Sequence, residues 1–174
     1  MFGLTPLGAI HTAISLVALA AGLLALIRHR EILPATGIGR LYIWATVLTC
    51  LTGFGIFQHG GFGTPHALGV LTLVVLGVAA LAGPKKRSFG RASPYVETVG
   101  YSATLFFHMI PGLTETFTRL PLGAPLFSGP EDPALQKLVG LFFLVFVVGA
   151  ALQVRRLNRL AAHVPAASAQ SVRP

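Results

Sequence analysis

Residues 7–27 read LGAIHTAISLVALAAGLLALI and contain no Asp, Glu, Lys or Arg. An α-helix rises 1.5 Å per residue, so an apolar stretch of this length crosses a hydrocarbon core about 30 Å thick. The basic residues Arg28 and Arg30 follow the stretch, and none precedes it. A cleavable signal peptide has the opposite order, so the stretch predicts a retained membrane-spanning helix.

Four further apolar stretches of similar length follow, at residues 41–58, 66–83, 95–113 and 134–154. Hydrophobic residues make up 53% of the chain and charged residues only 10%, whereas about a quarter of the residues of an ordinary soluble domain are charged. We therefore predict an all-α integral membrane bundle of five transmembrane helices. In this prediction residues 1–154 form a single transmembrane domain, and residues 155–174 form a basic and then disordered cytoplasmic tail.

The distribution of Lys and Arg predicts which way the bundle faces. Five crossings place the termini on opposite sides, and cytoplasmic loops carry an excess of Lys and Arg. Only Arg119 and Lys137 fall on one side. The other eleven of the thirteen basic residues share the opposite side: Arg28, Arg30, Arg40, Lys85, Lys86, Arg87, Arg91, Arg155, Arg156, Arg159 and Arg173. The N-terminus is therefore predicted to lie outside and the C-terminus in the cytoplasm.

The distribution of charged residues also indicates which partners the protein binds. The net charge of +8 does not indicate a nucleic-acid partner, because the basic residues follow the predicted topology and do not form a basic face interleaved with aromatic residues. The expected partner is the lipid bilayer, with a larger membrane protein complex or a homo-oligomer as further options. Cys50 is the only cysteine, so the sequence predicts no disulfide framework and no thiolate metal site.

Most of the predicted helices begin with a capping side chain followed by proline. A hydroxyl or carboxylate at the cap accepts a hydrogen bond from an otherwise unpaired N–H, and proline at the first helical position loses no bond. The four pairs are Thr5-Pro6, Thr64-Pro65, Ser93-Pro94 and Asp132-Pro133. The second helix is expected to open at Thr36 or Gly37, with Tyr42 and Trp44 at the cytoplasmic interface. Residues 113–132 are predicted to form an ordered outer loop or a short interfacial helix.

Four histidines fall in the outer third of the predicted bundle: His11, His59, His66 and His108. Ionisable residues at membrane depth are costly and usually face the bundle interior or a watery cavity. His59 and His66 flank a Gly-rich turn, which makes helices two and three neighbours and brings the two imidazoles close together. His11 shares a helix face with small residues that allow close approach of a helix or a flat cofactor. Those small residues are Gly8, Ser15, Ala18 and Gly22.

A polar stripe runs along the fourth predicted helix. Its members are Glu97, Tyr101, Thr104, His108 and Glu115, and their spacings place them on one helix face. Glu97 and His108 are eleven residues apart, which is about 16 Å at 1.5 Å per residue. Direct proton transfer over that distance is excluded, but Tyr101, Thr104 and water can bridge it.

Structural interpretations of the same residues stay open. The helix dipole favours a charged Glu97 carboxylate near the start of its helix. His59 and His66 are also typical of solvated turn residues. His11 and His108 can be buried histidines bonded to a backbone carbonyl or to a hydroxyl of Ser15 or Thr104. Glu115 and Arg119, four residues apart, are compatible with an exposed ion pair.

Two resemblances add to these patterns. Two groups of motifs resemble a family of uncharacterised bacterial multi-helix membrane proteins. The first group is His29-Arg30 with Gly39-Arg40-Leu41-Tyr42 and Leu51-Thr52-Gly53-Phe54. The second is Phe107-His108-Met109-Ile110-Pro111 with Glu115-Thr116 and Thr118-Arg119-Leu120-Pro121. This resemblance implies a multi-pass protein of the bacterial cytoplasmic (inner) membrane, without an established activity. The architecture is also similar to b-type membrane cytochromes, which hold haem between histidines on neighbouring helices. Electron transfer through two haems, one near each surface, is disfavoured here, because His29 is the only histidine predicted near the inner surface.

These observations predict an outward-facing, histidine-lined pocket that binds a transition metal ion or a single haem b. The metal ligands in this prediction are His11, His59, His66 and His108, and the cofactor-binding residues are His11, His66, His108 and Arg119. Imidazole binds iron, copper and zinc, so these residue types do not determine which metal is bound. The alternatives are an accessory or scaffold subunit with structural histidines, and a proton or ion conductor along the fourth helix. No hydrolytic or nucleotide-binding motif is present, and no catalytic residue is predicted.

Overall fold

The structure, a computed structural model, describes residues 5–57 and 61–162. These residues form five α-helices and no β-strand, which confirms the prediction of an all-α fold with five helices. The helices are α1 (Pro6–His29), α2 (Gly37–Gly53), α3 (Thr64–Ala82), α4 (Ser93–Phe117) and α5 (Pro133–Ala162). A short 3-10 helix, Gly90–Ala92, precedes α4.

Some helix boundaries differ from the predicted ones. Helix α2 begins at Gly37, as expected, but it ends at Gly53 and not at residue 58, and the backbone turns at residues 54–55. Helix α4 continues through Pro111 to Phe117, and residues 118–132 contain turns but no helix. Helix α5 continues to Ala162, so the basic residues from Arg155 to Arg159 lie on a helix.

Three of the predicted caps are present. The Thr5 hydroxyl accepts from the Gly8 N–H at 3.1 Å, and the Thr36 hydroxyl accepts from the Gly39 N–H at 3.0 Å. Asp132 accepts from the Ala134 N–H at 2.9 Å and opens α5. Hydrogen bonds from the backbone N–H groups of Ser128 and Ala134 hold the pKa of the Asp132 carboxyl below its usual range.

The other two predicted caps are wrong. Thr64 is the first residue of α3, and Gly63 is its N-cap. The capping side chain is His66, whose Nδ1 accepts from the Gly63 N–H at 3.2 Å. Ser93 lies inside α4, and its hydroxyl accepts from the Phe89 N–H of the preceding turn at 3.1 Å.

Consecutive helices run antiparallel, and α4 returns to contact α1, so α1 to α4 form a closed ring. Helix α5 packs on the outside of this ring, against α4. One end of the bundle carries His11, His66 and His108, and we call it the histidine end. The other end carries Arg30 and Arg156, and we call it the arginine end.

The interior of the ring contains many small and polar residues beside a few large ones such as Tyr42 and Leu105, whereas large apolar residues cover its surface. Ala79 and Thr104 are 0% exposed, but Ile27 is 79% exposed and Trp44 is 66% exposed. Helices α1, α3 and α5 are long and apolar enough to cross a membrane. A soluble domain buries most of its large apolar side chains, whereas many of them are exposed on this bundle.

Glycine allows the helices of the ring to approach closely. A Cβ atom at Gly22 of α1 would lie 2.9 Å from the Tyr42 ring of α2 and 2.7 Å from the Leu105 side chain of α4. A Cβ atom at Gly100 would lie 2.9 Å from Cβ of Ala79 on α3. Small residues at such positions are typical of membrane helix interfaces, because backbone proximity replaces the hydrophobic effect as the source of packing energy.

Candidate functional site

His108 lies in the interior of the ring, on α4. Its side chain is 5% exposed, and its Nε2 is 2.9 Å from the Ser15 hydroxyl of α1. The serine is one of the two hydroxyl partners expected from the sequence. Pro111, three residues further along α4, has no N–H and leaves the Phe107 carbonyl beside this histidine without its helical donor.

His11 is half-buried on α1 and contacts α2. Its Nδ1 is 3.1 Å from the Thr52 hydroxyl, and that hydroxyl donates to the Leu48 carbonyl at 2.8 Å. In the tautomer that satisfies both bonds, His11 Nδ1 donates to Thr52, and Nε2 is the nitrogen that can accept a proton. Ser15, the partner of His108, lies one helical turn from His11 on α1.

Tyr42 and Thr104 form a hydrogen bond one helical turn from His108. Their hydroxyl oxygens are 2.8 Å apart, and both residues are fully buried. The Thr104 hydroxyl donates to the Tyr101 carbonyl at 2.8 Å, so Tyr42 is the donor in the pair. Tyr42 therefore faces the bundle interior and not the surface position predicted for it, because the second turn of α2 directs its side chain towards Thr104 of α4.

The carboxylates of Glu97 and Glu31 lie near the arginine end. Glu97 is half-buried beside Gly83 of α3, and it is close enough to Glu31 for the two charges to repel. Glu31 accepts from the Thr98 hydroxyl at 3.2 Å and from Arg156 at 3.0 Å. Arg156 also donates to the His29 carbonyl at 3.0 Å, so this ion pair fastens α5 to the end of α1.

At the histidine end, Glu115 is exposed and forms a 2.6 Å ion pair with Arg119. The pair is the exposed i, i+4 pair that the sequence allows, and Arg119 does not line the interior. Glu115 is also close enough to His11 for their charges to interact. We call the whole set the polar column: Glu115, His11, Ser15, His108, Tyr42, Thr104, Tyr101 and Glu97.

His66 lies apart from the polar column. Its ring stacks between Phe57 and Phe62, with a centroid distance of 5.2 Å to each. Its Nε2 is buried and has no hydrogen-bond partner among the described residues. The role of His66 in capping α3 fixes the ring orientation. The predicted ligand His59 lies outside the described residues.

The described residues do not support the predicted metal or haem site. Within residues 5–57 and 61–162, no three His, Cys, Asp or Glu side chains form a group that could hold a metal ion. A cavity of about 1140 Å³, the larger of the two described, lies between α1, α4 and α5 and is lined by no histidine. A smaller one, beside Phe117 and Leu120, has none either. His11 and His108 instead pair with hydroxyls of neighbouring helices.

Several residues of the site were missed in the sequence. Gln153 of α5 accepts from the Ser102 hydroxyl at 3.0 Å and donates to the Arg30 carbonyl at 2.9 Å, which joins three helices. Its signal was an amide near the end of the predicted span 134–154, whose other amide, Gln136, lies near the start of the span. Tyr42, Thr52 and Glu31 had no such signal, because each is compatible with an interface or a loop.

Comparison with known proteins adds no assignment to this geometry. No protein-family model, curated protein or solved structure matches this chain, and the two resemblances described above stay predictions.

Proposed function

We propose that the protein is a proton-transferring integral membrane protein and that the polar column is its path. The observation that carries the proposal is the burial of hydrogen-bonded imidazole and hydroxyl groups inside a bundle with an apolar surface. The Ser15–His108 and Tyr42–Thr104 pairs join α1, α2 and α4 in this way. Ionisable residues at membrane depth are costly, so they mark proton relays and substrate paths more often than they fill space.

The order of groups along the column suits proton transfer. Glu115 lies at the histidine end near His11, and Glu97 lies near the arginine end, so a titratable carboxylate is available at each mouth. An imidazole can accept a proton on one nitrogen and release it from the other. The hydroxyls of Tyr42, Thr104 and Tyr101 then bridge part of the 16 Å between His108 and Glu97, and water would complete the path.

The proposal includes a bacterial cytoplasmic membrane, five crossings, an outer N-terminus and a cytoplasmic C-terminus. The apolar composition of α1, α3 and α5 supports it. Helices α2 and α4 carry more polar residues, and several of these, such as Thr46, Thr49 and Thr104, are buried inside the bundle. The loops with Lys85 and Lys86 would then be cytoplasmic, as basic loops usually are.

Cysteine labelling tests this orientation. In a Cys50→Ala background, we expect an impermeant thiol reagent to label Ala124→Cys in intact cells but to label Ser88→Cys only after lysis. Both positions are exposed, so the difference reports the side of the membrane. Labelling of residue 88 in intact cells would reverse the orientation and place the histidine end in the cytoplasm.

Removal of a titratable group at the arginine end tests the path. Glutamine at position 97 keeps the shape and most hydrogen bonds of glutamate but cannot titrate. We expect Glu97→Gln to reduce proton flux in liposomes several-fold, and Glu31 nearby can carry the remainder. The readout is a pH dye inside liposomes driven by a potassium diffusion potential.

The matched control is Glu131→Gln, in the exposed loop before α5, which we expect to leave the flux unchanged. A wild-type protein without flux above empty liposomes would contradict the proposal and favour a structural role for the histidines. A stoichiometric metal or a haem absorption band that is lost in both His11→Ala and His108→Ala would instead favour the metal or haem hypothesis.

A further inference from the structure

An amphipathic groove runs between α1 and α5, with α4 as its floor. Its volume is about 1140 Å³, which exceeds the ~300–1,000 Å³ of ordinary small-molecule sites. Apolar side chains line most of its length, among them Leu23 and Leu26 of α1, Phe106 of α4 and Phe146 of α5. Neighbouring side chains of α5 such as Val145 are exposed, so the groove opens sideways onto the surface that would face lipid.

The groove is closed and charged at the arginine end. Gln153 bridges Ser102 and the Arg30 carbonyl there, which draws α5 onto α1 and α4. Four arginines contribute to the lining, and none of the lining residues is acidic. They are Arg30, Arg155, Arg156 and Arg159. Glu31 offsets the charge of Arg156, so Arg30 and Arg155 give this end of the groove its positive charge.

The arginines lie at the depth of a lipid headgroup. No Asp, Glu, Lys or Arg occurs on α5 between Lys137 and Arg155, a distance of about 27 Å at 1.5 Å per residue. This distance is close to the ~30 Å thickness of the hydrocarbon core. The apolar part of the groove therefore faces acyl chains, and Arg155 and Arg159 face the headgroup layer.

We propose that this groove binds an anionic phospholipid, with its acyl chains between α1 and α5 and its phosphate at Arg30 and Arg155. Charge complementarity selects the occupant, because basic pockets between transmembrane helices on the cytoplasmic side bind anionic headgroups. The guanidinium groups bind phosphate oxygens through charge-assisted hydrogen bonds. The site requires membrane insertion but not proton transfer.

Binding can be measured on the detergent-purified full chain with phosphatidylglycerol and phosphatidylcholine as matched anionic and zwitterionic probes. We expect phosphatidylglycerol to raise the unfolding midpoint, and phosphatidylcholine or inorganic phosphate to have little effect. Near a membrane each basic residue contributes about fivefold in affinity for anionic lipid. The double variant Arg30→Gln/Arg155→Gln should therefore weaken phosphatidylglycerol binding about 25-fold. The control Lys85→Gln/Lys86→Gln, which removes two basic residues outside the groove, should retain it.

A second pair of variants tests the apolar part of the groove. Gly149 lines the groove and Gly140 does not, yet a Cβ atom at either position meets no atom within 4 Å. Gly149→Phe should fill the groove and abolish the phosphatidylglycerol shift, and Gly140→Phe should preserve it. The proposal is overturned if the two lipids stabilise equally, if the lysine control loses as much binding as the arginine variant, or if Gly149→Phe has no effect. Proton flux does not enter these measurements, so failure of one proposal leaves the other intact.

Discussion

Replacement of Gly22 by valine is expected to prevent normal packing of the ring and to give the largest loss of stability of any single substitution described here. The first added carbon would lie 2.9 Å from the Tyr42 ring. That ring cannot move aside, because it is fully buried and its hydroxyl is bonded to Thr104. One inserted methylene in a close-packed core costs about 1–3 kcal/mol. Valine adds three carbons, so we expect a loss of about 3 kcal/mol or more.

The measurement is the unfolding midpoint and the elution profile in detergent. The matched control is Gly77→Val on α3, where a Cβ atom meets no atom within 4 Å. We expect the control to remain monodisperse with a midpoint close to that of the wild type. Equal behaviour of the two variants would mean that the close approach of α1 to α2 is absent from the folded protein.

The second large effect is expected at His108. The variant His108→Gln should reduce proton flux to that of empty liposomes, because the amide can still bond the Ser15 hydroxyl but cannot accept and release a proton. No other imidazole of the polar column lies at this depth on α4, so no neighbouring group replaces it. The assay is the same liposome measurement, with helical content checked by circular dichroism.

His66→Gln is the control for this prediction. His66 lies outside the polar column, stacked between Phe57 and Phe62, and glutamine at the third helical position can also accept the capping bond. We expect this variant to keep its flux. Equal losses in the two variants would point to general damage at the histidine end, and unchanged flux in His108→Gln would exclude His108 as a relay.

The position of residues along the helices was predictable from the sequence. Apolar stretches gave the five helices, and the spacing of polar residues on α4 identified the face that carries Tyr101, Thr104 and His108. All three residues are buried in the ring. The small face of α1 was also predictable, since Gly8, Ala18 and Gly22 are buried in the structure. Spacing within one helix is fixed by helix geometry, which explains these successes.

Rotation of the helices relative to one another was not predictable. A helix that is apolar on all sides gives no periodic signal for the face that meets its neighbour. Depth alone therefore placed His66 with His11 and His108, although its ring faces Phe57 and Phe62. The same lack of signal hid the inward position of Tyr42. Contacts between distant segments, such as Glu31 with Arg156, follow from the assembled bundle and have no local pattern.

The outer position of α5 has a consequence for biogenesis. Helices α1 to α4 close a ring by themselves through the contact between α4 and α1. In the proposed five-crossing topology, the ring can therefore assemble as soon as α4 has left the translocon. Helix α5 then packs against the assembled ring. Gln153 bonds the Arg30 carbonyl, and Arg156 bonds the Glu31 carboxylate. Membrane insertion of this chain is therefore expected to pass through a four-helix intermediate while the ribosome is still translating the C-terminal segment.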